Sequence, residues 1–286
     1  MSIVAFATLA AAAVYLAIAS IPALRSQGSN FFTGSWAYRQ HSFGASAMLY
    51  GSSVVAIIAL LLAIPIAIGT AVFTSEICSR RLRMLLKVTV ELLAGIPSVV
   101  YGLLGVLFLR DWIGAAFEKF NFDALSPDTL LTGGILLAVM ILPTIATLTD
   151  DALHAVAPSA REAARGLGLT RGESILWIVL PRAASGIVAA ILLGFGRAVG
   201  ETIAVFLVVG RADNRVPHSL FSFKPFVDAG QTITSKLGGS EANIAVGDSL
   251  HMSALFALAL LLLVVVLAAT TIAEVLRARV AEREVM

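Results

Sequence analysis

The chain has 286 residues, of which 58% are hydrophobic and only 13% charged, about half the charge of an ordinary soluble domain, roughly 25%. Its 20 basic and 18 acidic side chains are too few to cover a compact globule, and the composition also excludes disorder. The net charge of +2 and the absence of any dense Lys/Arg stripe exclude a nucleic-acid binder. Cys78 is the single cysteine, and no Cys/His spacing suits zinc, so neither an internal disulfide nor a metal site is expected.

A helix that crosses a bilayer needs about 20 predominantly apolar residues. Six uncharged or nearly uncharged runs satisfy this in chain order: Ile3 to Leu24, Ala47 to Ser75, Val88 to Leu109, Leu130 to Thr149, Gly186 to Val209 and Met252 to Ala273. The expected fold class is therefore an all-α membrane protein with six transmembrane helices. The first run is long for a signal peptide, and no Lys or Arg precedes it, so it reads as a span. No internal repeat is visible.

Basic residues in short loops orient such a bundle. Arg80, Arg81, Arg83 and Lys87 follow span two; Arg161, Arg165, Arg171 and Arg182 follow span four; Arg277, Arg279 and Arg283 follow span six. The other short loops carry only Arg25 with Arg39 and Arg110 with Lys119. Both termini are thus expected in the cytoplasm. The first outer loop holds Phe31, Phe32, Trp36, Tyr38 and Phe43, which suits an interfacial aromatic belt as well as an ordinary loop.

Three ionisable residues fall inside the predicted spans: Glu91, Arg197 and Glu201. Each costs on the order of 3 kcal/mol at the bilayer centre, so such residues usually face protein or water. Arg197 is near the middle of its run, with Glu201 expected one helical turn along on the same face. The residues alone admit a self-satisfied ion pair or an aqueous path. A guanidinium there offers a planar donor fork suited to an oxyanion, and the hydroxyl of Thr202 is available nearby. Gly196 and Gly200 form a small-xxx-small pair that permits close helix approach. Pro65, Pro97 and Pro143 predict kinks or breaks. In Ala94-Gly95-Ile96-Pro97-Ser98, glycine and proline coincide downstream of Glu91, the pattern of an interrupted helix that lines a cavity or of a simple packing kink.

The segment after span four is too long for a tight connection and carries its own helix punctuation. Pro158 suits the first turn of a helix through Glu162, Ala163 and Ala164, and Gly168 is placed to end it. Thr170 with Glu173 makes a capping box for a second short helix through Ile175 to Ile178, which Pro181 is expected to interrupt. Such a pair offers a handle to another protein, or rests on lipid headgroups.

Glu162-Ala163-Ala164, then Gly168, Ile178 and Leu180-Pro181 match the fixed positions of the EAA loop of ABC-importer permeases, and the chain resembles that family. The stretches Ala94 to Gly102 and Gly196 to Val205 resemble phosphate-uptake (Pst) permeases, more the PstC type than the PstA type. Phe43-Gly44, Tyr50-Gly51 and Pro65 through Gly69 to Phe73 and Glu76 extend the likeness from about Phe43 to the end of span six, whereas the stretch 1–42 matches only loosely. The resemblance implies a type I ABC importer permease fold (MetI-like), with an N-terminal span and outer loop at 1–42 and a permease domain at 43–286. That domain would hold the coupling loop at 150–185 and an outer loop at 210–251. It further implies a bacterial inner-membrane location, a second PstA-type permease subunit, two cytoplasmic ATPase subunits and an extracytoplasmic phosphate-binding protein that lands on the outer loop. The chain has no G-x-x-x-x-G-K-[ST] loop, so it is expected to bind no cofactor and to be no enzyme itself, with ATP and Mg on the partner ATPase. The substrate path would involve Arg197, Glu201, Thr202, Glu91 and Ser98, and ATPase coupling would involve Glu162, Ala163, Ala164 and Gly168. Sulfate or molybdate import is the nearest alternative; an intramembrane enzyme using Glu91 and Glu201, or a passive channel, is the rival from another class.

Overall fold

A computed structural model describes residues 2–120, 126–210, 212, 214 and 229–285. Six helices among the described residues are long and apolar enough to cross a membrane: Phe6–Gln27, Ser46–Ile77, Ser98–Lys119, Leu130–Ala155, Arg171–Gly200 and Ser249–Leu276. Four of these lie where hydropathy placed them.

The third span is displaced from the prediction. A separate helix, Arg80–Gly95, carries Arg80, Arg81, Arg83, Lys87 and Glu91, and the chain then leaves helical geometry. Ile96 is extended at φ −68° and ψ 129°, because the ring of Pro97 excludes the α region for the residue before it. The helix that spans starts afresh at Ser98. Glu91 accordingly lies on this separate helix and not in the helix Ser98–Lys119 that forms the third candidate span, a correction to its placement within that span. By contrast, Pro65 and Pro143 sit inside the unbroken helices Ser46–Val72 and Leu130–Ala155.

The fifth span is also longer than predicted. The capping box of Thr170 and Glu173 forms, with Thr170 N–H donating to Glu173 at 2.8 Å and Glu173 N–H donating to Thr170 Oγ1 at 3.3 Å. The helix it opens does not stop at Pro181. A π-turn at Ile175–Val179 leads directly into Leu180–Gly200; such a widened turn is one of the ways a helix tolerates a residue with no amide hydrogen. Two further π-turns occur in spans, at Phe73–Ile77 and Gly105–Leu109.

The chain divides into two compact units. One comprises Met1–Ile58, Ser98–Leu137 and Val199–Val266; the other comprises Ala59–Pro97, Ala138–Ala198 and Leu267–Met286. In the first, the segment 1–42 is tied to the rest at a few points. Ser253 accepts from Ala23 N–H at 3.0 Å and donates to the carbonyl of Ala19 at 2.7 Å, which ties the first span to the sixth. Trp36–Ala37 pairs antiparallel with Ser42–Phe43, and Phe31, Trp36 and Phe43 are buried in a core shared with Met48, Ile233 and Leu258. Glycines permit close crossings: a Cβ on Gly134 would lie 2.6 Å from Ile58, and one on Gly102 2.7 Å from Leu207.

This unit also holds a buried charge cluster. Glu241 accepts from Lys236 at 2.9 Å, from Trp36 Nε1 at 2.7 Å and pairs with His251 Nε2 at 2.9 Å. The Lys236 ammonium also sits 5.1 Å from the Trp36 ring centroid, and Phe43 stacks on His251 at 4.9 Å. Burial pushes the Glu241 carboxyl upward, but the hydrogen bond and charge of Lys236, with the donors of Trp36 and His251, outweigh it and hold the group below the usual glutamate range.

In the second unit, Leu153, Val156, Ala160, Ala164, Val179, Ala183 and Ile187 form the core. Gly186 and Gly194 are tight glycines of the fifth span, since a Cβ would stand 2.6 Å from Ala152 at the first and 2.6 Å from Ile145 at the second.

Candidate functional site

Arg197 lies in the helix Leu180–Gly200. Its side chain is exposed in the isolated chain, and one guanidinium nitrogen donates to Thr144 Oγ1 at 2.8 Å. Thr144 directly follows Pro143 in the fourth span. A proline in mid-helix frees a backbone carbonyl one turn earlier, on the far side of Pro143 from Thr144, so no local signal in the sequence singles Thr144 out. One nitrogen of the fork is thereby engaged, and among the described residues the guanidinium has no other hydrogen-bond partner.

Glu201 is placed differently from the prediction. The helix ends at Gly200, and a new short helix, Ile203–Val208, begins after Thr202. Glu201 therefore leaves the helical register that would have set it one turn from Arg197 on the same face. Its carboxylate instead accepts from Ala204 N–H at 3.4 Å, while Thr202 Oγ1 donates to the carbonyl of Gly200 at 3.3 Å. At the small-residue pair a Cβ on Gly196 would stand 3.6 Å from Thr270 and one on Gly200 3.9 Å from Val266, ordinary contact distances, so neither position requires glycine for close approach. Ser98 opens the third span and is half-buried; its helix packs against Ile203–Val208, with Gly102 against Ala204 and Leu207. Glu91 is exposed on Arg80–Gly95 and makes no ion pair among the described residues.

The coupling segment folds as its punctuation dictates. The helix Pro158–Gly166 starts with proline in its first turn. Gly168 ends it at φ +82°, and both bonds of a Schellman closure form: Gly168 N–H to Arg165 at 3.0 Å and Leu169 N–H to Ala164 at 3.1 Å. One face is seated and the other open. Ala160 and Ala164 are buried, whereas Glu162, Ala163 and Gly168 are exposed and Leu167 is 82% exposed. The open face thus places an exposed apolar leucine beside an exposed glutamate.

Arg161 was read from the sequence only as an orienting charge, yet it anchors this helix. It donates to Glu76 at 2.8 Å, to the carbonyl of Leu153 at 2.7 Å and to that of Val156. No group of three or more His, Cys, Asp or Glu residues is arranged to hold a metal ion among the described residues.

Residues 63–282 match the family of binding-protein-dependent transport system inner membrane components. The fold agrees: the chain superposes on the MetNI methionine ABC transporter in an inward-facing conformation (TM-score 0.57, 17% identity, 82% of this chain and 94% of that one). It also superposes on an amino acid ABC transporter crystallised with histidines (TM-score 0.51, 18% identity, 82% and 92% covered). The architecture is thus that of a type I ABC importer permease, a multi-pass membrane protein.

At the level of sequence, the chain is 35% identical to the phosphate transport system permease protein PstC of Mesorhizobium japonicum over 99% of this chain and 88% of that one. It is 34% identical to PstC 2 of Mycobacterium tuberculosis (91% and 85% covered) and 34% to PstC of Pasteurella multocida (99% and 90%). The chain belongs to the inner-membrane components of binding-protein-dependent transport systems and, within them, to the PstC-type permeases.

Proposed function

We infer that the chain is the transmembrane permease subunit of an ATP-driven importer of inorganic phosphate, supplying part of the anion path by alternating access. The observation that carries the substrate assignment is Arg197. It is a guanidinium in the last turn of an apolar helix, held by Thr144 at 2.8 Å with N–H donors to spare. A desolvated oxyanion gains more from such charge-assisted bonds than it would in water. Glu201 and Thr202, at the break that follows, stand where a change in helix geometry would alter the anion's surroundings, and Ser98 opens the neighbouring broken span. Glu91 remains a candidate for the path only as a residue exposed for contact with a second subunit.

Glu162, Ala163, Ala164 and Gly168 form the handle for cytoplasmic ATPase subunits, which carry ATP and Mg. A PstA-type permease subunit completes the membrane pair, and an external phosphate-binding protein delivers the ion. Part of its expected landing surface, the stretch 210–251, lies outside the described residues. By the excess of basic residues in alternate short loops, both termini face the cytoplasm of a bacterial inner membrane. Sulfate or molybdate is the competing cargo of the same machine.

The test uses the assembled importer in proteoliposomes with its binding protein. Arg197→Gln should abolish phosphate uptake while the complex still assembles, and Arg197→Lys should restore little, because an ammonium has no planar fork. Normal uptake by Arg197→Gln overturns the assignment of this residue. Stimulation of ATP hydrolysis by sulfate or molybdate, but not by phosphate, overturns the substrate.

A further inference from the structure

The second span ends in the π-turn Phe73–Ile77, which contains Glu76. The fourth span ends at Ala155, and three residues later the helix that bears Glu162 begins. The last carbonyls of any helix lack intrahelical donors and carry the negative end of its dipole. Arg161 answers both needs at once. Its guanidinium bonds the carbonyls of Leu153 and Val156 at the end of the fourth span and the Glu76 carboxylate of the second. The two paired side chains are only 18% and 14% exposed.

A second guanidinium stitches the same two ends. Arg83 donates to the carbonyl of Thr74 at 2.6 Å and to that of Ser75, and lies 3.2 Å from His154 Nε2. Thr74 Oγ1 in turn donates to Asp150 at 3.0 Å. Every other seat of the Pro158–Gly166 helix is small: Ala160 and Ala164 are its buried side chains. Alanine contacts resist sliding weakly, because each offers one methyl group of dispersion contact. A directional fork of charge-assisted bonds resists displacement in every direction. Replacing a well-packed buried ion pair with apolar residues is often neutral for stability, so stability alone is a poor account of this arrangement.

We propose that the Arg161 to Glu76 bond is the mechanical link that carries motion of the ATPase-facing helix into the ends of the second and fourth spans. Arg161 and Glu76 are positioning residues in this role: neither touches the anion or the nucleotide. The link rests on the coupling role assigned above to the helix that bears Glu162.

The test is the number of oxyanions moved per ATP hydrolysed by the whole importer in proteoliposomes, with recovery of the ATPase subunits measured alongside. Glu76→Gln keeps the shape of the side chain and leaves Arg161 on its carbonyls; Arg161→Lys keeps the charge and removes the fork. Both variants should assemble and hydrolyse ATP within about twofold of the unaltered complex. Both should move roughly tenfold fewer ions per ATP, the scale of one lost charge-assisted hydrogen bond. A normal ratio in both variants overturns the link. So does a parallel fall in ATP hydrolysis and ATPase recovery with the ratio unchanged, which would mark the pair as merely structural. If the unaltered complex moves none of phosphate, sulfate and molybdate, the proposed function fails instead, a result distinguishable because it needs no variant.

Discussion

Glu241 offers the sharpest test of what holds the outer-loop residues in place. Lys236 is 1% exposed in its side chain and Glu241 11%, so each charge depends on its partner far more than on bulk water. Truncating one member of a buried pair costs about 3 to 5 kcal/mol, mainly from the charge left behind. Glu241→Leu should therefore destabilise strongly, for it also takes an acceptor from Trp36 and His251. Lys236→Met should cost less, about 1 to 3 kcal/mol, since those two donors still satisfy the carboxylate. The double variant removes both charges and should lie well above the sum of the single losses in stability, with a coupling energy of roughly 2 kcal/mol or more. Thermal unfolding of detergent-solubilised protein, followed by tryptophan fluorescence, reads all four corners of the cycle. The pH dependence has a fixed sign. A carboxyl held below its unfolded value, about 4.3, adds stability above that pH and loses it as pH falls through the folded value. Acid should thus loosen the unaltered protein below about pH 4 through this group, and Glu241→Gln should lack that contribution. Strictly additive single losses, within about 0.5 kcal/mol, would refute the reasoning.

Gly168 and Gly51 make a contrasting pair. At Gly168 nothing lies within 4 Å of a prospective Cβ, so only its φ of +82° penalises a side chain. Gly168→Ala should then cost about 1 kcal/mol, with Gly168→Asn milder, and lower transport in proteoliposomes by displacing the handle rather than by unfolding the protein. Gly51→Ala should fail at the level of folding, because its methyl group would strike the backbone carbonyl of Gln231, which cannot rotate away; recovery from membranes checks it, and a normal yield would contradict it.

Much of this molecule was legible locally. Long uncharged runs need no partner to be recognised as spans, and Pro158, Gly168, Thr170 and Glu173 each act within one turn of themselves. The boundaries of the third and fifth spans were misjudged for a physical reason. Hydropathy averages over a window and cannot register that Pro97 forces Ile96 out of the helix, or that a π-turn carries a helix through Pro181. The Trp36 to Glu241 bond joins residues 205 positions apart, and Thr74 joins Asp150 across 76; neither has a local signature. Arg161 was visible, but a basic residue in a short loop already had an explanation, and its contacts with Glu76 and the end of the fourth span have no local signature.

The π-turn at Ile175–Val179 has a consequence for how this span is oriented. A π-turn admits one residue beyond the α-helical count, and each residue turns an α-helix by about 100°. A wheel drawn from Arg171 without that extra step would place Arg197 about a quarter-turn or more from where the backbone presents it. Removing a single residue from 175–179 would swing the whole downstream half of the span about its axis and take the guanidinium away from Thr144, with no change in hydrophobicity to betray it.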